Sequence, residues 1–190
     1  KAAVICGAIG VIAEVDRSAV DKRYAQGWVT HVAKDMNDCI ALIKGARASC
    51  EKMSIGFHGN VVDLWRRLAD EEELLVELGS DQTSCHNPYG GGYYPYQLSF
   101  EEANRMMTED PDKFKELVQE SLCVQIEAID KLAARGMRFW DYGNSFLLEC
   151  SRAGADVLSP TPESGEQPAH MFRYPSYVED IMGGFVSTWR

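Results

Sequence analysis

Residues 53–68 read MSIGFHGNVVDLWRRL, and this stretch decides the class of fold. Its first five residues form a short apolar run of strand length, which ends at the polar and glycine residues His58-Gly59-Asn60. Asn60 is a preferred residue for capping a helix N-terminus, and Leu64 and Leu68 then recur four residues apart, as on one helix face. A buried strand that leads directly into a capped helix is typical of an α/β protein with a parallel sheet.

Strand and helix patterns alternate along the rest of the chain. Ser18, Asp35 or Asn37, and Ser99 are candidate helix N-caps, and the longest helical period runs from Pro111 to Gly136. The pattern predicts one α/β domain over residues 1–190, with a parallel sheet covered by helices and a mobile loop near residues 158–169. The strand candidates are residues 9–15, 53–57, 74–78 and 137–142.

The composition excludes several classes of protein. The chain has 190 residues, a net charge of −10 and 45% hydrophobic residues, which is ordinary for a globular domain and argues against a general nucleic-acid binder. No apolar run approaches the roughly 20 residues of a membrane span. No charged-then-apolar leader opens the sequence, so we expect reduced thiols and a cytoplasmic location. The six cysteines form no C-x-x-C pair and the four histidines no H-x-x-x-H pair, so we expect no metal site.

Polar residues follow each predicted strand. Glu14 ends the first, residues 58–60 follow the second, the polar segment 80–95 with its three glycines follows the third, and residues 142–144 follow the fourth. Ligands of parallel sheets bind outside the carboxyl ends of the strands, so this pattern favours a nucleotide-type ligand at one sheet edge. Simpler interpretations remain open: Glu14 as a solvated charge, Asn60 as only a helix cap and His58 as a structural histidine.

Cys85-His86 suggests a thiol nucleophile with an adjacent base. Neighbouring side chains of an extended chain point in opposite directions. Adjacency in sequence therefore disfavours the hydrogen bond between thiol and imidazole that thiol activation needs.

Three blocks of sequence resemble urocanase (urocanate hydratase). They are residues 81–95, which begin DQTSCHNP and end GYYP, residues 54–60, SIGFHGN, and residues 139–144, FWDYGN. The resemblance implies a Rossmann-like NAD-binding domain that is inserted in a larger core domain. It also implies a cytoplasmic, homodimeric hydro-lyase that adds water to urocanate, giving imidazolonepropionate in histidine degradation, with tightly bound NAD+ used as an electrophile.

Position by position, the resemblance implies a set of cofactor-binding residues and no catalytic residue within this chain. Glu14 matches the acid that binds ribose, and Ala19 stands where the family often has an arginine. The other matching positions are Asn60, Val61, Gln82, Thr83, Ser84, Cys85, His86, Tyr93, Tyr94 and Tyr142.

The resemblance also sets limits. We expect the family's first strand and glycine loop to precede Lys1 and its urocanate-binding residues to lie in the core domain, so that the 190-residue segment alone is inactive. Two other functions stay open: an NAD-dependent dehydrogenase domain, which would transfer hydride, and a non-catalytic nucleotide-sensing module.

Overall fold

The computed structural model describes residues 1–81, 84–143, 145–160 and 171–181. They form two compact units, Lys1–Leu75 and Val76–Arg190. Both units combine parallel strands with helices, which confirms the α/β class predicted from the sequence.

The first unit is a three-stranded parallel sheet with the strand order β1-β3-β2. In β3, Ile55 is fully buried, and the α-carbon of Gly56 faces Val20 and Val29 so closely that a β-carbon would lie 3.1 Å from Val29. The elements, in chain order, are α1 (Ala2–Ile5), β1 (Gly10–Glu14), α2 (Arg17–Ala25), β2 (His31–Ala33), α3 (Met36–Ser49), β3 (Ser54–His58) and α4 (Val61–Asp70).

The helix ends of this unit follow capping chemistry, with one difference from the sequence predictions. Asp35 and Asn60 cap α3 and α4 as predicted. The cap of α2 is Asp16 and not Ser18, because the Asp16 carboxylate accepts from the Ser18 backbone N–H at 2.8 Å. At the other end of α3, Cys50 ends the helix in the left-handed conformation and is exposed, although it is four residues beyond the buried Ala46.

Among its described residues, the second unit has two parallel strands and three α-helices. The prediction of a strand at residues 74–78 is wrong: the strand begins at Leu78 and includes Ser80 and Asp81, which were assigned to the following loop. Its limits are set by backbone pairing with the other strand, in which Gly79 pairs with Phe139 and Asp81 with Asp141. The elements are β4 (Leu78–Asp81), α5 (Phe100–Glu109), α6 (Pro111–Ala134), β5 (Arg138–Asp141) and α7 (Ser145–Arg152).

Helix α6 is the centre of the second unit. Pro111 occupies its first turn, where a missing N–H leaves no hydrogen bond unmade, and Gly136 follows its end with a φ of 111°. The capping box predicted at Ser99 is present at the start of α5. Residues 161–169 of the predicted mobile loop lie outside the described residues. Within the described ranges, no helix has the length and apolar character needed to cross a membrane.

The Asn60 cap makes a first prediction. Asn60→Ala removes the oxygen that accepts from the Val62 N–H at 2.9 Å, so the opening free energy of α4 should fall by about 0.5–2 kcal/mol. Asn60→Asp is the matched control, because aspartate caps helices as well as asparagine. Amide hydrogen exchange over residues 61–66 measures the effect. Equal exchange in the alanine variant and the parent would contradict the assignment.

Candidate functional site

Glu14 lies at the carboxyl end of β1 and is half-buried. One carboxylate oxygen, Oε1, accepts from the Asp16 backbone N–H at 3.0 Å, which fixes the side chain locally. Within the described residues the other oxygen has no hydrogen-bond partner. Glu14 therefore presents a held carboxylate with one oxygen able to accept from a ligand hydroxyl.

Strand pairing brings the Asn60-Val61 pair next to Glu14. Glu14 pairs with His58 in the parallel register, and the Gly59 N–H donates to the Glu14 carbonyl at 3.0 Å. A β-carbon on Gly59 would lie 2.5 Å from the Phe57 ring, which explains the glycine between strand and helix. Val61 begins α4, where the first backbone N–H groups have no acceptor within the helix; the Asn60 side chain accepts from that of Val62, and no described residue accepts from that of Val61.

His58 has a structural function in this unit. Its Nε2 lies 3.2 Å from the Val15 carbonyl oxygen, which can only accept, so Nε2 carries the hydrogen. The simpler interpretation of His58 therefore fits the observed contact.

In the second unit, two buried carboxylates lie at the carboxyl ends of the strands. Asp81 and Asp141 are register partners on the buried face of β4 and β5. Asp141 accepts from the Leu147 N–H at 3.0 Å and so caps the first turn of α7. Burial raises the pKa of the Asp141 carboxyl above its ordinary value, and backbone donors such as the Leu147 N–H oppose that rise.

Tyr142 follows directly after β5 and is 42% exposed. Two backbone hydrogen bonds fix its position. The Tyr142 N–H donates to the Asp81 carbonyl at 3.0 Å, and the Tyr142 carbonyl accepts from the Val178 N–H at 3.1 Å. The ring stacks on Tyr177 with centroids 5.9 Å apart and an interplanar angle of 14°. The sequence analysis did not identify Tyr177.

The loop after β4 separates its cysteine from its histidine. Cys85 is buried and His86 is exposed, both within the single turn Ser84–His86. The His86 ring has no hydrogen bond to the described residues. Opposite exposure of the two side chains agrees with the argument against a paired nucleophile and base. Gln82, Thr83 and the Ser84 side chain lie outside the described residues.

Two tyrosines of this loop, on either side of its glycines, are hydrogen-bonded to helices. Tyr89 donates to Glu149 of α7 at 3.1 Å, and Tyr93 donates to Gln125 of α6 at 2.7 Å. Burial raises the pKa of the Tyr93 phenol well above its ordinary value, and burial with the Glu149 contact raises the pKa of Tyr89 to about 12. Both phenols therefore stay protonated and act as donors at neutral pH.

Tyr94 has a more exposed environment than Tyr93. Its hydroxyl donates to Asn104 at 2.9 Å, and its ring contacts Phe100 with centroids 5.2 Å apart. The two adjacent tyrosines thus point to different surroundings, one inward to α6 and the other towards α5.

The structure groups the predicted residues within each unit. In the first unit it brings Glu14 next to Asn60 and Val61. In the second, the loop residues share the unit with Tyr142. The sequence analysis missed Gln125 and Glu149, although both are polar residues on otherwise apolar helix faces. No group of three histidine, cysteine or acidic residues able to hold a metal occurs in the described ranges.

Comparison with known proteins identifies relatives over nearly the whole chain. A family profile described as "Urocanase Rossmann-like domain" matches residues 1–181. The chain is 58% identical over 187 residues to the Caenorhabditis elegans protein named "Probable urocanate hydratase", covering 98% of this chain and 27% of that protein. It is 56% identical over 191 residues to the Homo sapiens protein named "Urocanate hydratase", covering 98% of this chain and 28% of that protein.

A more distant relative shows the same span. The Halobacterium salinarum protein named "Probable urocanate hydratase" is 26% identical over 168 residues, which cover 88% of this chain and 28% of that protein. The chain thus spans little more than a quarter of the length of these relatives. The match of the family profile to residues 1–181 shows that the chain belongs to the urocanase family, in the part described as its Rossmann-like domain.

Proposed function

We propose that this chain is the NAD-binding domain of a urocanate hydratase, over residues 1–190. The observation that carries the proposal is the pairing of β1 with β3, which places the half-buried Glu14 carboxylate beside the capped start of α4, with one oxygen that has no partner among the described residues. A carboxylate that accepts from ribose hydroxyls and a helix N-terminus that donates backbone N–H groups are the contacts that dinucleotides need. The residues present therefore fit the cofactor.

Members of the proposed cofactor-binding set occur in each unit. Glu14 would accept from ribose hydroxyls, and the backbone at Asn60 and Val61 would donate to the dinucleotide. In the second unit, the exposed His86 and Tyr142 offer polar and aromatic groups that the described residues leave open to a ligand. The remaining members of the proposed set, all from the loop after β4, are Gln82, Thr83, Ser84, Cys85, Tyr93 and Tyr94.

When bound, NAD+ supplies an electrophilic ring carbon for the imidazole of urocanate. This chain's residues bind and orient the cofactor, whereas the residues that hold urocanate belong to a core domain of the same protein. Cys85 serves as a buried packing group and needs no thiolate character. The Tyr89 and Tyr93 hydroxyls stay protonated and hold the loop rather than transfer protons.

The substrate of the wider assignment is supported by the relatives' names, whereas its location, dimeric state, product and pathway are supported by the resemblance of the three sequence blocks to the urocanase family. The proposed whole protein is a cytoplasmic homodimer that converts urocanate to imidazolonepropionate in histidine degradation. The six cysteines are all free, which supports a reducing compartment.

Two alternatives predict different chemistry. A dehydrogenase would accumulate reduced nicotinamide during turnover, and a nucleotide sensor would bind NAD+ without consuming urocanate. If urocanate absorbance falls in the presence of the full-length protein and no reduced nicotinamide forms, the proposed function is distinguished from both alternatives.

Glu14 gives the most direct mutational test. A hydrogen bond to a charged acceptor contributes about 1.5–3 kcal/mol, so Glu14→Ala should weaken NAD+ retention by about tenfold to a hundredfold. Nucleotide remaining on the full-length protein after extensive dialysis is the measurement. Glu51→Ala is the matched control, since it removes an exposed carboxylate of the same unit. Equal retention by the Glu14 variant and the parent would show that the assignment is wrong.

Cys85 and His86 should respond differently to substitution. Cys85→Ala should keep kcat within about tenfold at saturating NAD+ and urocanate, because loss of a covalent nucleophile would instead lower kcat by several orders of magnitude. His86→Ala should weaken NAD+ binding more than Cys85→Ala does. Because the His86 ring is exposed, the substitution should change the free energy of unfolding by less than about 0.5 kcal/mol. A collapse of kcat in Cys85→Ala, with His86→Ala unaffected, would overturn the loop's proposed function.

A further inference from the structure

The inner face of α6 carries two fully buried polar side chains in an otherwise apolar surface. Ser121 and Gln125 are each 0% exposed and lie four residues apart, on one face of the helix. Both contact the end of the loop that follows β4. The Ser121 hydroxyl oxygen accepts from the Tyr96 N–H at 3.2 Å, and Gln125 accepts from the Tyr93 hydroxyl at 2.7 Å.

The Tyr93–Gln125 pair is not the most stable way to fill this space. Gln125 Nε2 is buried and has no hydrogen-bond partner among the described residues, and a buried unpaired amide donor destabilises a fold. Phenylalanine in place of Tyr93 and methionine in place of Gln125 would fill nearly the same volume without a polar group. Replacing both partners of a buried hydrogen bond in this way often leaves the stability of the fold unchanged or increases it. A costly polar pair in a core is a sign that it has a function other than packing.

What the pair does is hold one end of a glycine turn. Gly91 has a φ of 92°, a conformation that side-chain-bearing residues rarely adopt. Tyr89 on one side of this turn is hydrogen-bonded to Glu149, and Tyr93 on the other side to Gln125. Both ends of this glycine turn are thus joined to helices by side-chain hydrogen bonds.

We propose that Gln125 is a positioning residue, which holds the cofactor loop through the buried Tyr93 hydroxyl and so slows the release of NAD+. This inference rests on the proposed function. Tyr93 is 2% exposed with its hydroxyl turned to α6, so it acts as the anchor of the loop, and not through a hydroxyl contact with the ligand. Fixing a binding loop in advance improves affinity by reducing the entropy lost on binding.

The test compares three variants of the full-length protein: Tyr93→Phe, Gln125→Met and the double variant. Each single variant leaves a buried polar group without its partner and should lower the Tm by about 2 °C or more. The double variant removes both polar groups and should recover the Tm of the parent. All three should release NAD+ about threefold to tenfold faster than the parent, because the loop is no longer held.

Tyr174→Phe is the matched control. The Tyr174 hydroxyl donates to Asp130 of the same helix at 2.6 Å, away from the loop. Its loss should lower the Tm while NAD+ is released at the rate of the parent. Faster release by this variant, equal to that of Gln125→Met, would mean that general destabilisation explains the effect and would overturn the proposal.

The double variant decides the question, because it separates stability from positioning. Recovered Tm with faster release supports the proposal, and recovered Tm with release at the parent's rate overturns it. A parent protein that holds no NAD+ would instead contradict the proposed function, and this inference with it.

Discussion

Parallel pairing of neighbouring strands is the constraint on which the candidate site residues of each unit depend. In the first unit it sets Glu14 opposite His58, and the hydrogen bond from Gly59 to the Glu14 carbonyl continues the pairing to the start of α4. In the second it sets Asp81 opposite Asp141, with Tyr142 donating back to the Asp81 carbonyl. Because the strands of each pair end together, the polar residues after them gather at one edge of each sheet.

Each edge then uses its polar groups differently. One oxygen of the Glu14 carboxylate accepts from the Asp16 N–H. The other oxygen has no hydrogen-bond partner among the described residues, as a ligand-binding group requires. Asp141 is fully buried; its Oδ2 accepts from the Leu147 N–H in the first turn of α7 and its Oδ1 from the Gly143 N–H, which fixes the segment that carries Tyr142. The loop after β4 combines both behaviours, since Tyr89 and Tyr93 turn inward to helices while His86 stays exposed.

The sequence predicted most elements with strong local signals. Asn60, Asp35 and the Ser99 capping box mark helix starts by hydrogen bonds between residues two or three apart, so they could be read directly. Elements set by long-range pairing were harder. Strand β2 has only three residues, and the start of β4 depends on its register with β5, which no local pattern records. Because residues 74–78 are mostly apolar, the strand was predicted there, although β4 begins only at Leu78.

The candidate site shows the same division. Glu14 could be identified from its place after an apolar strand, and the resemblance of short blocks indicated the loop and Tyr142. Gln125 and Glu149 lie far from the loop in sequence, so their contacts with Tyr93 and Tyr89 appear only in the folded chain. The signal available for Gln125 was a polar residue within the apolar periodicity of α6. Its function could not be inferred without the fold, which shows that its partner is Tyr93.

We propose that this chain holds NAD+ for a reaction in which the cofactor is not consumed. The most direct measurement is to release the nucleotide from the purified full-length protein, before and after many turnovers of urocanate, and to determine its amount and oxidation state. We expect about one NAD+ per chain both before and after turnover, with the released nucleotide in its oxidised form. A protein that carries no nicotinamide nucleotide, or one whose nucleotide is found reduced in proportion to product, would contradict it.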